Sequence, residues 1–135
     1  MIVGIGIDLV SISRMAEKIK ESSFREKVFS KSEREYCESC KDKEQHYAVR
    51  FAAKEACSKA LGTGLRKGVF WRDMGVVNAP SGRPTLVLTG GAAEQLKSIT
   101  PAGYEPRIDL TLTDDFPQAQ AIVIITGIPA DREAS

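Results

Sequence analysis

The chain has 135 residues, 42% of them hydrophobic and 27% charged, which fits one folded domain and excludes a disordered polymer. Nineteen Lys and Arg against 18 Asp and Glu give a net charge of +1, too balanced for a protein that coats nucleic acid. No window approaches the roughly 20 apolar residues of a membrane-spanning helix, so neither nucleic acid nor membrane is expected as a partner. The opening MIVGIGIDLV lacks a basic leader and is interrupted by Asp8; it reads as a buried first strand rather than a signal peptide. Three cysteines, an odd and sparse count, predict reduced thiols and a cytoplasmic protein.

In chain order, residues 2–7 combine β-branched side chains with Gly, which suits a strand closely approached by another element. Ser11 and Ser13 are both candidate N-caps for a helix carrying Ile12, Met15, Ala16 and Ile19 along one side. Ser32 and Glu35 have capping-box spacing and predict a second helix ending near Cys40. Residues 45–61 form the longest helical signal, with Gly62 as its stop. Val49, Ala52, Ala53, Ala56, Cys57 and Ala60 give that helix a broad face of small residues, so it is predicted to be buried on more than one side. Strand signals follow at 69–77, 84–88, 108–113 and 121–126, with a short helix at 92–99. The order predicts an α+β fold, a single domain with an antiparallel β-sheet packed on a long central helix. Residues 1–128 form the expected domain and 129–135 a frayed C-terminal tail.

Several residues carry chemistry. Asp8 ends the apolar first strand, either as a cap for the next helix or as a metal ligand or acid/base. At about 100° per residue, Glu55 projects beside Phe51 and Lys59, at the edge of the buried face. Its bland role is a surface pair with Lys59; its sharper role is to join Asp8 on Mg²⁺, which favours a few carboxylates plus water and phosphate oxygens. Lys54, Lys59, Arg66 and Lys67 surround the turn Gly62-Thr63-Gly64, either a solvated helix end or a phosphate cradle. Cys37 and Cys40 form a lone CxxC without a second ligand pair, and His46 is the single histidine, so neither a zinc site nor a multi-His metal site is expected. Arg14, Met15 and Lys18 make a basic helix face with an adaptable apolar contact, either a solvated face or a dock for an acidic partner.

Gly4-Ile-Gly6-Ile-Asp8, Arg14, and Arg50-Phe-Ala-Ala-Lys54-Glu55-Ala-Cys-Ser-Lys59-Ala-Leu-Gly62-Thr63-Gly64 together resemble the holo-[acyl-carrier-protein] synthases, the small bacterial-type 4′-phosphopantetheinyl transferases. Ser81-Gly82-Arg83-Pro84 and the closing strand 119–125 extend the resemblance over nearly the whole chain. It implies the 4′-phosphopantetheinyl transferase fold and a reaction of fatty acid biosynthesis. In that reaction the 4′-phosphopantetheine of coenzyme A passes to a serine hydroxyl of apo acyl carrier protein, releasing adenosine 3′,5′-bisphosphate. It further implies Mg²⁺ on Asp8 and Glu55, coenzyme A as substrate, and a homotrimer with active sites at subunit interfaces. An acidic carrier protein would dock on Arg14, with Met15 and Lys18 beside it.

On this reading Lys59 neutralises phosphate charge, and Lys54 orients Glu55 or contacts phosphate. Gly62, Thr63 and Gly64 give the substrate close access to backbone. Arg50 with Ser81, Gly82, Arg83 and Pro84 holds the nucleotide end. Asp114 stands where many members carry His, leaving Asp114, Glu55 or a water on the metal to take the serine proton. The alternative is a non-catalytic module that keeps the fold and binds coenzyme A or the carrier protein.

Overall fold

The structure is a computed structural model and describes residues 1–130. Strand β1 (Ile2–Ser11) leads into helices α1 (Ile12–Lys18), α2 (Ser22–Val28), α3 (Lys31–Ser39) and α4 (Lys43–Ala60). A 3-10 turn (Trp71–Asp73) precedes β2 (Met74–Asn78) and β3 (Pro84–Leu88). Helix α5 (Gly90–Ile99) and the long hairpin β4 (Tyr104–Asp115) and β5 (Gln118–Pro129) follow. The main sheet is antiparallel in the order β1-β5-β4, and β2-β3 forms a separate antiparallel pair. The expected α+β architecture is therefore present, with the β2-β3 pair split from the main sheet.

Helix α4 lies across β1 and β5, and the reason is in the glycines. A Cβ on Gly4 or Gly6 would overlap the carbonyl oxygens of Ala60 and Ala56. Only backbone-to-backbone contact fits there, so alternate β1 residues are Gly on the helix side. All six small residues expected on the buried face of α4 are buried. The opposite side of β1 shows Ile5, Ile7 and Leu9 to solvent. In the next strand Ile124 and Ile122, the partners of Ile5 and Ile7, are half-buried.

Three local expectations change. Ser11 alone caps α1, accepting from Arg14 N at 3.2 Å. The capping box is Ser30 with Glu33, not Ser32 with Glu35. Both pairs have the required spacing, but Glu33 also reaches Val76 N and Lys54 in the interior, so tertiary contacts decide the register. Helix α2, between α1 and α3, buries Val28. The β signal at 69–77 opens instead as the 3-10 turn, and only Met74–Asn78 pairs as strand. Pro129 still pairs with Tyr104, and Ala130 N donates to Gly103 O, so ordered structure runs past the expected boundary at 128. The rest of the expected tail, residues 131–135, lies outside the described residues. No helix among the described residues is long and apolar enough to cross a membrane.

Candidate active site

Helix α4 presents Phe51, Glu55 and Lys59 on its β1 flank at successive i, i+4 positions. Asp8 sits on β1 opposite Ala121, on the same side of the sheet as Gly4 and Gly6. Lys59 Nζ donates to Asp8 Oδ1 at 2.9 Å and to the Ile7 carbonyl at 3.0 Å. The Asp8 carboxylate is thus half-buried and charge-balanced rather than used as a helix cap, the role that falls to Ser11. Glu55 does not pair with Lys59. Its Oε2 accepts instead from the Trp71 indole N–H at 2.9 Å.

Asp8 and Glu55 line one open cavity of about 210 Å³, together with Leu9, Val10, Ser11, Arg14, Met15, Lys18 and Phe51. Two carboxylates and two exposed cations around one recess favour an anionic ligand with a hard cation bridging it. Among the described residues no group of three or more His, Cys, Asp or Glu could enclose a metal. Asp8 and Glu55 are two carboxylates on one recess, and Mg²⁺ favours a few carboxylates plus water and phosphate oxygens. The donor set fits that ion.

Two expectations need correction. Lys54 is fully buried and makes no direct contact with Glu55. Its ammonium pairs with Glu33 Oε1 at 2.9 Å and donates to the carbonyls of Met74 at 2.8 Å and Trp71 at 3.0 Å. Burial pushes its pKa down, opposed by the Glu33 charge. Met15 is also buried, at 1% exposure, so its side chain is not an exposed contact beside Arg14 and Lys18. Arg14 and Lys18 are exposed, and the Lys18 ammonium lies 5.5 Å from the Phe51 ring centroid.

The turn after α4 is partly a cap. Gly62 N and Gly64 N donate to the carbonyls of Lys59 and Ser58, and Thr63 Oγ1 donates to Gly64 O. Positive φ angles of 84° and 61° at Gly62 and Gly64 explain the glycines. Gly62, Thr63 and Gly64 do not line the Asp8–Glu55 cavity.

The remaining expected residues gather on the opposite flank of α4. Arg50, Gly82, Pro84 and Asp114 line a second recess with His46, Asn78 and Tyr36. The Arg50 guanidinium lies 4.5 Å from the Tyr36 ring centroid and donates to the His46 carbonyl. Ser81 and Arg83 belong to the adjoining β2-β3 turn, closed by Ala79 N donating to Arg83 O at 2.8 Å; neither lines that recess. Asp114 is exposed near the end of β4 and pairs with Ala119. One chain therefore keeps Asp114 apart from the Asp8–Glu55 cavity.

Residues 4–113 match the family model described as the 4′-phosphopantetheinyl transferase superfamily. The chain belongs to that family. It is 58% identical over 134 residues to the holo-[acyl-carrier-protein] synthase of a Bradyrhizobium species, covering 95% of this chain and 96% of that protein. It is also 58% identical to the enzyme of the same name from Brucella ovis, covering 96% and 98%. Among solved structures, holo-[acyl-carrier-protein] synthase from Neisseria meningitidis superposes with a TM-score of 0.81 at 30% identity, covering 93% of this chain and 99% of that one. The Helicobacter pylori enzyme in complex with coenzyme A gives 0.75 at 31% identity, covering 90% and 99%. The expected family and fold are thus both found. Trp71 touches Glu55 and Glu33 touches Lys54, contacts that sequence spacing misses because they are made between separate elements.

Proposed function

We infer that this chain transfers the 4′-phosphopantetheine moiety of coenzyme A to a serine hydroxyl of apo acyl carrier protein, for fatty acid biosynthesis. The observation that carries the chemistry is the placement of Asp8 and Glu55 on the wall of one cavity, with Lys59 paired to Asp8. The serine hydroxyl gives up its proton, to Asp114, Glu55 or a water, and its oxygen forms a bond to the pantetheine-side phosphorus. The bond from that phosphorus to the bridging oxygen breaks, and adenosine 3′,5′-bisphosphate leaves. Such a displacement needs positioning and charge neutralisation more than a nucleophile on the enzyme.

Asp8 and Glu55 are the residues that would hold Mg²⁺. When bound, the ion supplies charge neutralisation at the pyrophosphate. Lys59 anchors Asp8 and adds a cation beside the phosphates. Arg14 and Lys18, exposed at the rim, fit the acidic surface of a carrier protein. Arg50 with Gly82 and Pro84 fits the nucleotide end of coenzyme A. The reading places the protein in the cytoplasm, where coenzyme A is available to it.

A homotrimer is part of the same reading. Ile5, Ile7 and Leu9 form an exposed aliphatic row on the face of β1 away from α4, a feature of surfaces that bury against another subunit. Asp114, on the far flank, contributes to the Asp8–Glu55 cavity only when another copy supplies it. Sedimentation equilibrium is expected to give three times the chain mass; a monomer would remove Asp114 from the reaction.

The decisive assay is intact-mass spectrometry of apo acyl carrier protein incubated with the enzyme, coenzyme A and Mg²⁺, beside an EDTA control. The expected result is a gain of one phosphopantetheine arm, lost with EDTA. A folded protein that binds the carrier but adds no mass would instead be a binding module.

A further inference from the structure

Trp71 is the chain's single tryptophan, and it is not one of the ligands assigned above. We propose that Trp71 is a positioning residue whose indole N–H fixes the Glu55 carboxylate for a divalent cation, and that the buried Glu33–Lys54 pair fixes Trp71. The inference rests on the reading of Glu55 as a metal ligand.

Glu55 is a long side chain on an open cavity, and unrestrained it would lose its orientation to rotamer freedom. The indole N–H donates to Oε2 at 2.9 Å. An indole has one donor and no acceptor, so it restrains one oxygen and leaves the other for a cation. This is the arrangement by which an outer hydrogen bond orients a metal-binding carboxylate.

The indole is itself restrained from several elements. Its ring stacks on Phe51 of α4 at a centroid distance of 6.4 Å and an interplanar angle of 29°. The Lys27 ammonium lies 5.4 Å from its centroid. The Trp71 carbonyl accepts from Lys54 Nζ, which also holds Met74 O at the start of β2 and Glu33 Oε1 on α3. Glu33 in turn accepts from Ser30 N at 2.8 Å and Val76 N at 2.7 Å. A closed polar network thus joins α3, α4, the 3-10 turn and β2, and its outlet is the indole bond to Glu55. Lys54 does act on Glu55, but through Trp71 rather than directly.

The test is Trp71→Phe, which keeps an aromatic ring against Phe51 and deletes the donor. Mn²⁺ binding is read by water-proton relaxation, and the half-saturating Mg²⁺ concentration is read in the transfer assay. Both constants are expected to rise about tenfold, with kcat at saturating Mg²⁺ close to wild type. Loss of stability or kcat with unchanged metal constants would make Trp71 merely structural and overturn the proposal. A second reading needs no Trp71 variant. As the sole indole, Trp71 is expected to change its emission saturably as Mn²⁺ or Mg²⁺ is added to the wild type, and not in Glu55→Gln. Emission indifferent to a metal that relaxation shows to be bound would also overturn it. A wild type that binds no Mn²⁺ at all would overturn the metal reading first, and this proposal with it.

Discussion

Two lysines of α4 each hold a carboxylate at 2.9 Å, and they do opposite work. The Lys54–Glu33 pair is sealed, its side chains 0% and 2% exposed. The Lys59–Asp8 pair is open to solvent, at 53% and 16%, and Asp8 lines the cavity. Distance and chemistry are the same, so burial alone separates them. In the interior, desolvated charges must be saturated with partners, and Lys54 and Glu33 are, by two carbonyls and two backbone N–H groups. At the cavity, a weakly held pair remains available to a charged substrate. The lesson is that burial commits the inner pair to holding backbone in place, whereas the open pair keeps a solvent-facing surface, the one that the proposed function uses.

The comparison breaks most visibly at Lys54. Lys54→Met leaves the Glu33 charge buried without its cation, and the unfolding free energy is expected to fall by about 3–5 kcal/mol, read by urea denaturation. Adding Glu33→Gln should recover part of that loss, because the amide oxygen can still accept from Ser30 N or Val76 N. A Lys54→Met protein as stable as wild type would erase the distinction between the pairs.

The buried side also titrates through stability. Burial pushes the Cys57 and Cys37 thiols up from 9.0 to about 12. As pH rises through about 9, these thiols ionise in the unfolded chain and stay protonated in the folded one, so stability declines toward pH 12. Unfolding curves at about pH 8 and about pH 10 should differ by about 3 kcal/mol from these two groups. A stability unchanged between those values would mean that the thiols are not desolvated.

Lys59→Ala sharpens the other half of the comparison. Its stability is expected to stay within about 1 kcal/mol of wild type. Its rate should fall about tenfold, the equivalent of about 1.4 kcal/mol at the transition state, read by initial rates of carrier-protein modification. Large destabilisation with a normal rate would place Lys59 with the structural lysine.

Much of this was legible in the sequence because it is local. Glycines in the first strand, the small-residue face of α4 and the stop at Gly62 are periodic or positional signals, and each matches an observed element. The motif that joins Lys54, Glu55 and Lys59 locates the right helix but does not show that Lys54 is sealed from solvent. Helical spacing places a residue on a face; it does not say what covers that face. The cover over Lys54 comes from Glu33 on α3 and the backbone of Trp71 and Met74, contacts between segments with no spacing rule. Met15 was misplaced for the same reason. The separation of Asp114 from Asp8 within one chain follows from no spacing rule either: the two stand on different strands and line two different recesses.

The central claim is that Asp8 serves the reaction and not the fold. Its most direct test is the Asp8→Ala protein in the intact-mass assay, with melting temperature and carrier-protein binding measured on the same sample. The account predicts at least about a hundredfold slower mass gain, equivalent to about 2.7 kcal/mol, with melting and carrier binding close to wild type. Mass gain at the wild-type rate would contradict it.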